Sequence, residues 1–136
     1  MKAGVLDANV VLRFFLQDNP RQSAATVALF TKAEQGDVEL FLPDVIVAEL
    51  TFVMDKVYRR NRMQIADALL DLIQNSGVTL QSPTVLTDAL LRYRAHTVDF
   101  PDALGAAMAG AKGIPAISFD RDLDKFQDIT RHEPKA

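Results

Sequence analysis

The chain contains no cysteine and no tryptophan, and only two histidines. Without cysteine there is no disulfide scaffold, no thiolate metal site and no thiol nucleophile. His96 and His132 lie far apart and lack ligand spacing, which leaves them surface or core roles. No apolar run approaches the ~18 residues of a membrane span. The N-terminal "MKAGVLD" passes straight into a strand-like pattern, whereas a signal peptide needs a longer apolar stretch and a cleavage site. The expected location is therefore cytoplasmic. Positive charge is also short, with 15 Lys and Arg against 18 Asp and Glu for a net charge of −3. A protein that held nucleic acid by phosphate neutralisation alone would be basic. If this one handles nucleic acid, a bound divalent cation or a local basic patch must supply the missing charge.

What is present is a globular composition: 136 residues, 49% hydrophobic and 24% charged. That length suits a single domain over residues 1–136 with a real core. Short apolar runs at 3–6, 38–42, 78–81 and 115–119 read as strands, with a weak last strand near 129–131. Helical stretches separate them, at 9–17, 20–35, 44–59, 62–75, 83–96 and 101–112, followed by a short helical turn at 121–126. Pro20 and Pro83 stand where helices begin, and Gly36, Gly77 and Gly113 where they stop. Strands alternating with helices, the strands short and apolar, point to an α/β fold with a parallel sheet covered on both faces. No linker, low-complexity segment or convincing repeat interrupts the pattern.

In open parallel sheets, ligands bind beyond the carboxyl ends of the strands. Asp7 ends the first strand and Asp120 the fourth. Each also has a plain structural reading, as the N-cap of the helix that follows. "TVDFPDALGAAMAG" carries a further pair, Asp99 and Asp102, in front of a run of small residues. Asp99 suits an N-cap, with Pro101 in the first turn and Asp102 at the third helical position, where the helix dipole favours an acid. Two carboxylates within one turn are more than a cap requires, so Asp102 is assigned the functional role and Asp99 the capping one. The Ala-rich helix behind them is expected to pack tightly against the sheet. Glu49 lies in "VIVAELTFVMDKV", and its helical neighbours Val45, Ile46, Phe52 and Val53 are all apolar. A carboxylate on such a stripe is expected to be buried or at a cleft floor, where lack of a partner costs several kcal/mol or raises the pKa. A salt bridge to a distant Arg or Lys is the structural alternative.

If Asp7, Glu49, Asp102 and Asp120 converge at one sheet edge, their repulsion must be met by protons or by a cation. An oxygen-only donor set suits a hard ion, Mg²⁺ or Mn²⁺. Such an ion polarises a phosphodiester, activates water and steadies the leaving oxygen.

These residues resemble a known family. "VLDANVVLRFF", "VIVAEL", "DFPDALGAAMA" and "ISFDRDL" look like the four acidic motifs of PIN-domain proteins, above all the VapC-type toxin ribonucleases of toxin–antitoxin pairs. The likeness runs in order over nearly the whole chain. It implies a three-layer α/β/α fold around a central parallel sheet of four to five strands. It also implies Mg²⁺- or Mn²⁺-dependent RNA endonuclease activity, a homodimer and a cognate VapB-type antitoxin. Carried over by motif, the acids are Asp7, Glu49, Asp102 and Asp120, the polar residue after the first acid is Asn9, and the hydroxyl two places before the last acid is Ser118. Arg13, Lys112 and Arg121 are candidate RNA phosphate contacts.

Rival readings fare worse. A haloacid-dehalogenase-type phosphotransferase needs a second Asp where Asn9 stands. A receiver domain needs a phosphorylatable Asp after the third strand, and "VTLQSP" offers none. "DRDLDK" begins like an EF-hand loop, but Lys125 replaces the glycine at its sixth position and Arg131 the glutamate at its twelfth. The remaining alternative is a catalytically silent PIN-like module that binds protein or RNA. The helix with Phe14 and Phe15 and the apolar helix at 44–57 would suit such an interface.

Overall fold

The computed structural model describes residues 1–136. In the first half, β1 (Ala3–Val5) leads into α1 (Ala8–Leu16) and α2 (Pro20–Glu34); β2 (Glu39–Leu42), α3 (Asp44–Lys56), α4 (Arg62–Leu72) and β3 (Val78–Leu80) follow. The second half holds α5 (Pro83–Ala95), α6 (Phe100–Lys112), β4 (Ala116–Ile117), a 3₁₀ turn (Arg121–Lys125) and β5 (Arg131–His132). The chain accordingly forms two units, Met1–Gln81 and Ser82–Ala136. No helix is long and apolar enough to cross a membrane.

All expected strands and helices form, and all strand pairs are parallel. The expected central sheet of four to five strands is corrected in its hydrogen bonding. β1, β2 and β3 make one three-stranded sheet, and β4 and β5 make a separate pair. The reason is where the β4 ladder goes: Ala116 N–H donates to the Thr130 carbonyl at 2.9 Å and Ser118 N–H to that of His132 at 3.1 Å. A strand of two residues has few ladder groups, and these are directed to β5.

In the first unit, β2 alternates as its sequence requires, with Leu40 and Leu42 buried and Glu39 and Phe41 facing outward. Val11 and Leu12 of α1, Phe30 and Ala33 of α2, and Val47, Leu50 and Met54 of α3 are buried, as are Ile65 and Leu69 of α4. Helix starts use the residues the sequence offers. Asn19 accepts from Gln22 N–H ahead of Pro20, and Asn61 forms a reciprocal capping box with Gln64. Gly77 has a packing reason to be glycine, because a Cβ there would lie 2.1 Å from the backbone carbonyl oxygen of Ala33. The entry to β3 thus rests directly on the α2 backbone.

In the second unit, α5 and α6 pack lengthwise. Leu86, Ala89, Leu90 and Tyr93 of α5 and Phe100, Ala103, Ala106 and Ala107 of α6 are buried, and Tyr93 stands edge-on to Phe100. Within this unit the main neighbour of the Ala-rich helix is α5, with lesser contact to β4 and the 3₁₀ turn. Small side chains allow close approach to any neighbour, so composition alone cannot choose between helix and strand. Gly113, at φ +65°, closes α6 in the left-handed conformation.

Candidate functional site

In the first unit Asp7 follows β1 and occupies the N-cap of α1, where its Oδ1 accepts the Ala8 N–H at 2.9 Å. The residue is exposed, and Asn9 in the next turn is exposed as well. Glu49 departs from expectation. It is solvent-exposed, on the same outward face of α3 as Val45 and Phe52, which are 70% and 62% exposed. The buried stripe of α3 is instead Val47, Leu50, Thr51 and Met54. An apolar helix all round left two faces eligible for the core, and packing selected the one that lacks the acid. Arg13 is held by Asp18 Oδ1 at 2.6 Å and reaches the Tyr58 hydroxyl at 3.4 Å.

In the second unit the backbone of Asp99 caps α6, its carbonyl accepting from Ala103 N–H at 3.1 Å, but its side chain makes no capping hydrogen bond. The expected capping role therefore holds for position and fails for the carboxylate. Asp102 lies in the first turn, half-buried. No hydrogen bond or ion pair engages its carboxylate. Burial pushes its pKa up from the ordinary 3.8, and the negative charges of Asp120, Asp99 and Asp122 push it the same way.

Asp120 is exposed and caps the 3₁₀ turn, its Oδ1 accepting from Asp122 N–H at 2.9 Å. The Ser118 hydroxyl accepts the Asp120 N–H at 2.9 Å, so the residue two places before the acid shapes the turn that presents it. Asp102, Lys112 and Ser118 also line one open cleft of about 440 Å³, walled by Gly105, Met108 and Ile114. Lys112 and Arg121 are exposed.

Neither unit by itself brings three His, Asp or Glu side chains within reach of one metal ion. The chemistry of the donors nonetheless suits a hard cation: Asp102 is an unpaired oxygen ligand in a field of like charge, the condition that a divalent ion relieves.

Sequence reading passed over Arg131, which entered only as a misfit in an EF-hand pattern. Its guanidinium takes both oxygens of Asp124, at 2.9 and 3.2 Å, and donates to the Ser118 carbonyl at 3.1 Å. Arg92 is similar in kind: it joins Asp88 and Asp128 and stands 5.1 Å above the centre of the Phe126 ring. Arg92 and Asp88 are four apart on one helix, a readable signal. Partners 7 and 13 residues away around a parallel strand pair leave no comparable periodic trace.

Comparison with known proteins places the whole chain. The chain is 23% identical over 132 residues to a VapC ribonuclease of Aquifex aeolicus (strain VF5), covering 95% of this chain and 97% of that protein. The PIN domain profile matches residues 4–129, through both units. The three-layer α/β/α fold of that family is the one the resemblance implied, and the chain belongs to the PIN domain family.

Proposed function

We propose that the protein is a metal-dependent endoribonuclease and the toxin of a toxin–antitoxin pair. The observation that carries this reading is the Asp102 carboxylate, half-buried and unpaired in the field of Asp120, Asp99 and Asp122. A structural acid acquires a cationic partner; an acid left without one in like charge is a candidate ligand or reacting group. Family membership and the VapC ribonuclease relative support the same conclusion.

In this reading Asp7, Glu49, Asp102 and Asp120 are the catalytic acids. Geometry supports Asp102 and Asp120; Asp7 and Glu49 are carried by motif resemblance. Mg²⁺ or Mn²⁺ held by these acids supplies Lewis acidity and charge neutralisation. The chain's own part is to hold ligand oxygens at Asp7, Asp102 and Asp120 and to orient or deprotonate the attacking water at Glu49. Water attacks phosphorus in line, leaving a 5′-phosphate and a 3′-hydroxyl. Asn9 and Ser118 support the acids. Lys112, which shares the cleft with Asp102, and the exposed Arg121 are the proposed phosphate contacts. Arg13 joins them only by giving up Asp18.

RNA is the proposed substrate, a VapB-type antitoxin the proposed partner, a homodimer the proposed assembly and the cytoplasm the proposed location. Residues 1–136 are taken as one functional domain, since the family match runs from 4 to 129. The test is cleavage of end-labelled RNA with Mg²⁺, Mn²⁺ or chelator, by wild type and Asp102→Asn. Metal-dependent cleavage lost in the variant is expected. A folded wild type that cleaves no RNA with either ion is a silent binding module instead.

A further inference from the structure

We propose that Arg131 is a positioning residue for Asp120, acting through the turn between β4 and the 3₁₀ segment; the inference rests on the nuclease reading above. Arg131 sits on β5 with its side chain only 14% exposed. Its planar fork makes three kinds of contact at once. Nε and Nη2 meet the two oxygens of Asp124, at 2.9 and 3.2 Å, which places the 3₁₀ turn. Nη1 donates to the Ser118 carbonyl at 3.1 Å, which places the end of β4, and to Glu133 Oε1 at 3.3 Å, which braces its own strand. The Ser118 amide is meanwhile bound to the His132 carbonyl at 3.1 Å. Ser118 is therefore held by backbone N–H and C=O together, from two neighbouring residues of β5.

That residue then holds Asp120. Its hydroxyl accepts the Asp120 N–H, and the Asp120 carboxylate in turn accepts the Asp122 N–H, both at 2.9 Å. The path from guanidinium to acid is thus two links long, Arg131 to Ser118 and Ser118 to Asp120. A second path runs through Asp124, inside the same 3₁₀ turn that Asp120 caps. Paired with Arg131, Asp124 keeps its carboxylate below the ordinary range and stays ionised. Arg131 touches no acid assigned to catalysis, so its effect on reaction is indirect. A lysine offers one point charge and cannot span both Asp124 oxygens and the Ser118 carbonyl.

The test compares Arg131→Ala, Arg131→Lys, Asp124→Asn and the double variant Arg131→Ala/Asp124→Asn. Two readouts are used: RNA cleavage with Mn²⁺ and amide hydrogen exchange by NMR. Arg131→Ala is expected to lower kcat by about 10–100-fold, the range for residues that orient ligating groups, with KM for RNA within about twofold. Exchange at the Asp120 and Asp122 amides should quicken while amides of α5 and α6 keep wild-type protection. Arg131→Lys should recover little of the loss, and the double variant should be no slower than Arg131→Ala, because both changes cut one linkage. Should Arg131→Ala fail to fold, Asp124→Asn and Arg131→Lys carry the same comparison. Wild-type kcat in a folded variant, or faster exchange throughout the second unit, overturns the positioning role. A wild type without metal-dependent cleavage overturns the nuclease reading instead, and the exchange at Asp120 then still reports whether the clamp exists.

Discussion

The hydroxyl of Ser118 accepts the backbone N–H of Asp120 at 2.9 Å. A side chain two residues before an acid thereby sets the direction in which the chain leaves β4, and with it where the acid is presented. The same turn is closed from the other side by Asp120 capping Asp122. Removing the hydroxyl is the smallest change that tests it. Ser118→Ala should lower RNA cleavage severalfold while costing about 1 kcal/mol of stability, the usual worth of one such bond. Unchanged cleavage rates across a substrate titration would detach Ser118 from the site.

Asp102 is predicted to oppose folding at neutral pH. Its pKa is raised in the folded protein by burial and by Asp120, Asp99 and Asp122. The folded state therefore keeps a proton that the unfolded chain releases near 3.8, and stability falls as pH rises from there through the folded value. Above that range the cost is fully present; below the unfolded value it vanishes. Asp102→Asn should accordingly melt higher than wild type at pH 7 and equal to it near pH 3, while RNA cleavage falls by roughly 100-fold or more. Thermal melts at the two pH values, beside cleavage assays, check both halves.

Divalent ions should act on the same repulsion. Adding Mg²⁺ or Mn²⁺ is expected to raise the melting temperature, by about 1–3 kcal/mol in free energy as the ion passes from ten to a hundred times its Kd. Asp102→Asn should abolish most of the rise. Chelation should leave the far-UV circular dichroism intact, since the helices are capped and packed without metal. A melting curve indifferent to either ion at every concentration would argue against any ion site on these acids.

Arg92 ties α5 to the segment before β5. It joins Asp88 at 3.1 Å, reaches Asp128 with two nitrogens and covers the Phe126 ring. Asp128, held by Arg92, titrates below the ordinary carboxylate range. Its contribution is present above the unfolded value and lost as pH falls through the depressed folded one. Arg92→Ala is expected to cost about 1–2 kcal/mol near neutrality, discounted for the exposure of both acids, and less in acid. Urea unfolding at the two pH values measures it.

Gly77 offers a test of packing free of charge effects. A methyl there meets the Ala33 carbonyl oxygen at 2.1 Å, and backbone cannot swing aside as a side chain does. Gly77→Ala should destabilise by about 3 kcal/mol or more, at the upper end for overpacking. A variant as stable as wild type in urea would mean that α2 and β3 shift apart freely.

Much of the local structure was legible beforehand because it depends on neighbours in the chain. Pro20 at the start of α2, Pro83 at the start of α5 and Gly113 after α6 act within a few residues, and each appears in its expected role. Asp7 and Asp120 cap the elements that follow them, so the plain reading of both acids is correct as far as it goes. A caps-only account stops short at Asp102, whose carboxylate has no such partner. Glu49 marks the opposite failure: an acid among apolar neighbours looked buried, but Val45 and Phe52 share its solvent face.

By itself the amino-acid order determined the alternation of strands and helices and their breaks, since these follow from periodicity and short-range hydrogen bonding, while the four acidic motifs were legible only as a resemblance to a family. Tertiary structure decided which backbone edges pair, which face of α3 is buried and which acid lies in a field of like charge. It also decided that Arg131 closes on Ser118 and Asp124. Each of these depends on groups that meet only after the chain has folded back on itself, and hydrogen-bond geometry and Coulomb interactions act on distance in space, blind to separation along the polymer.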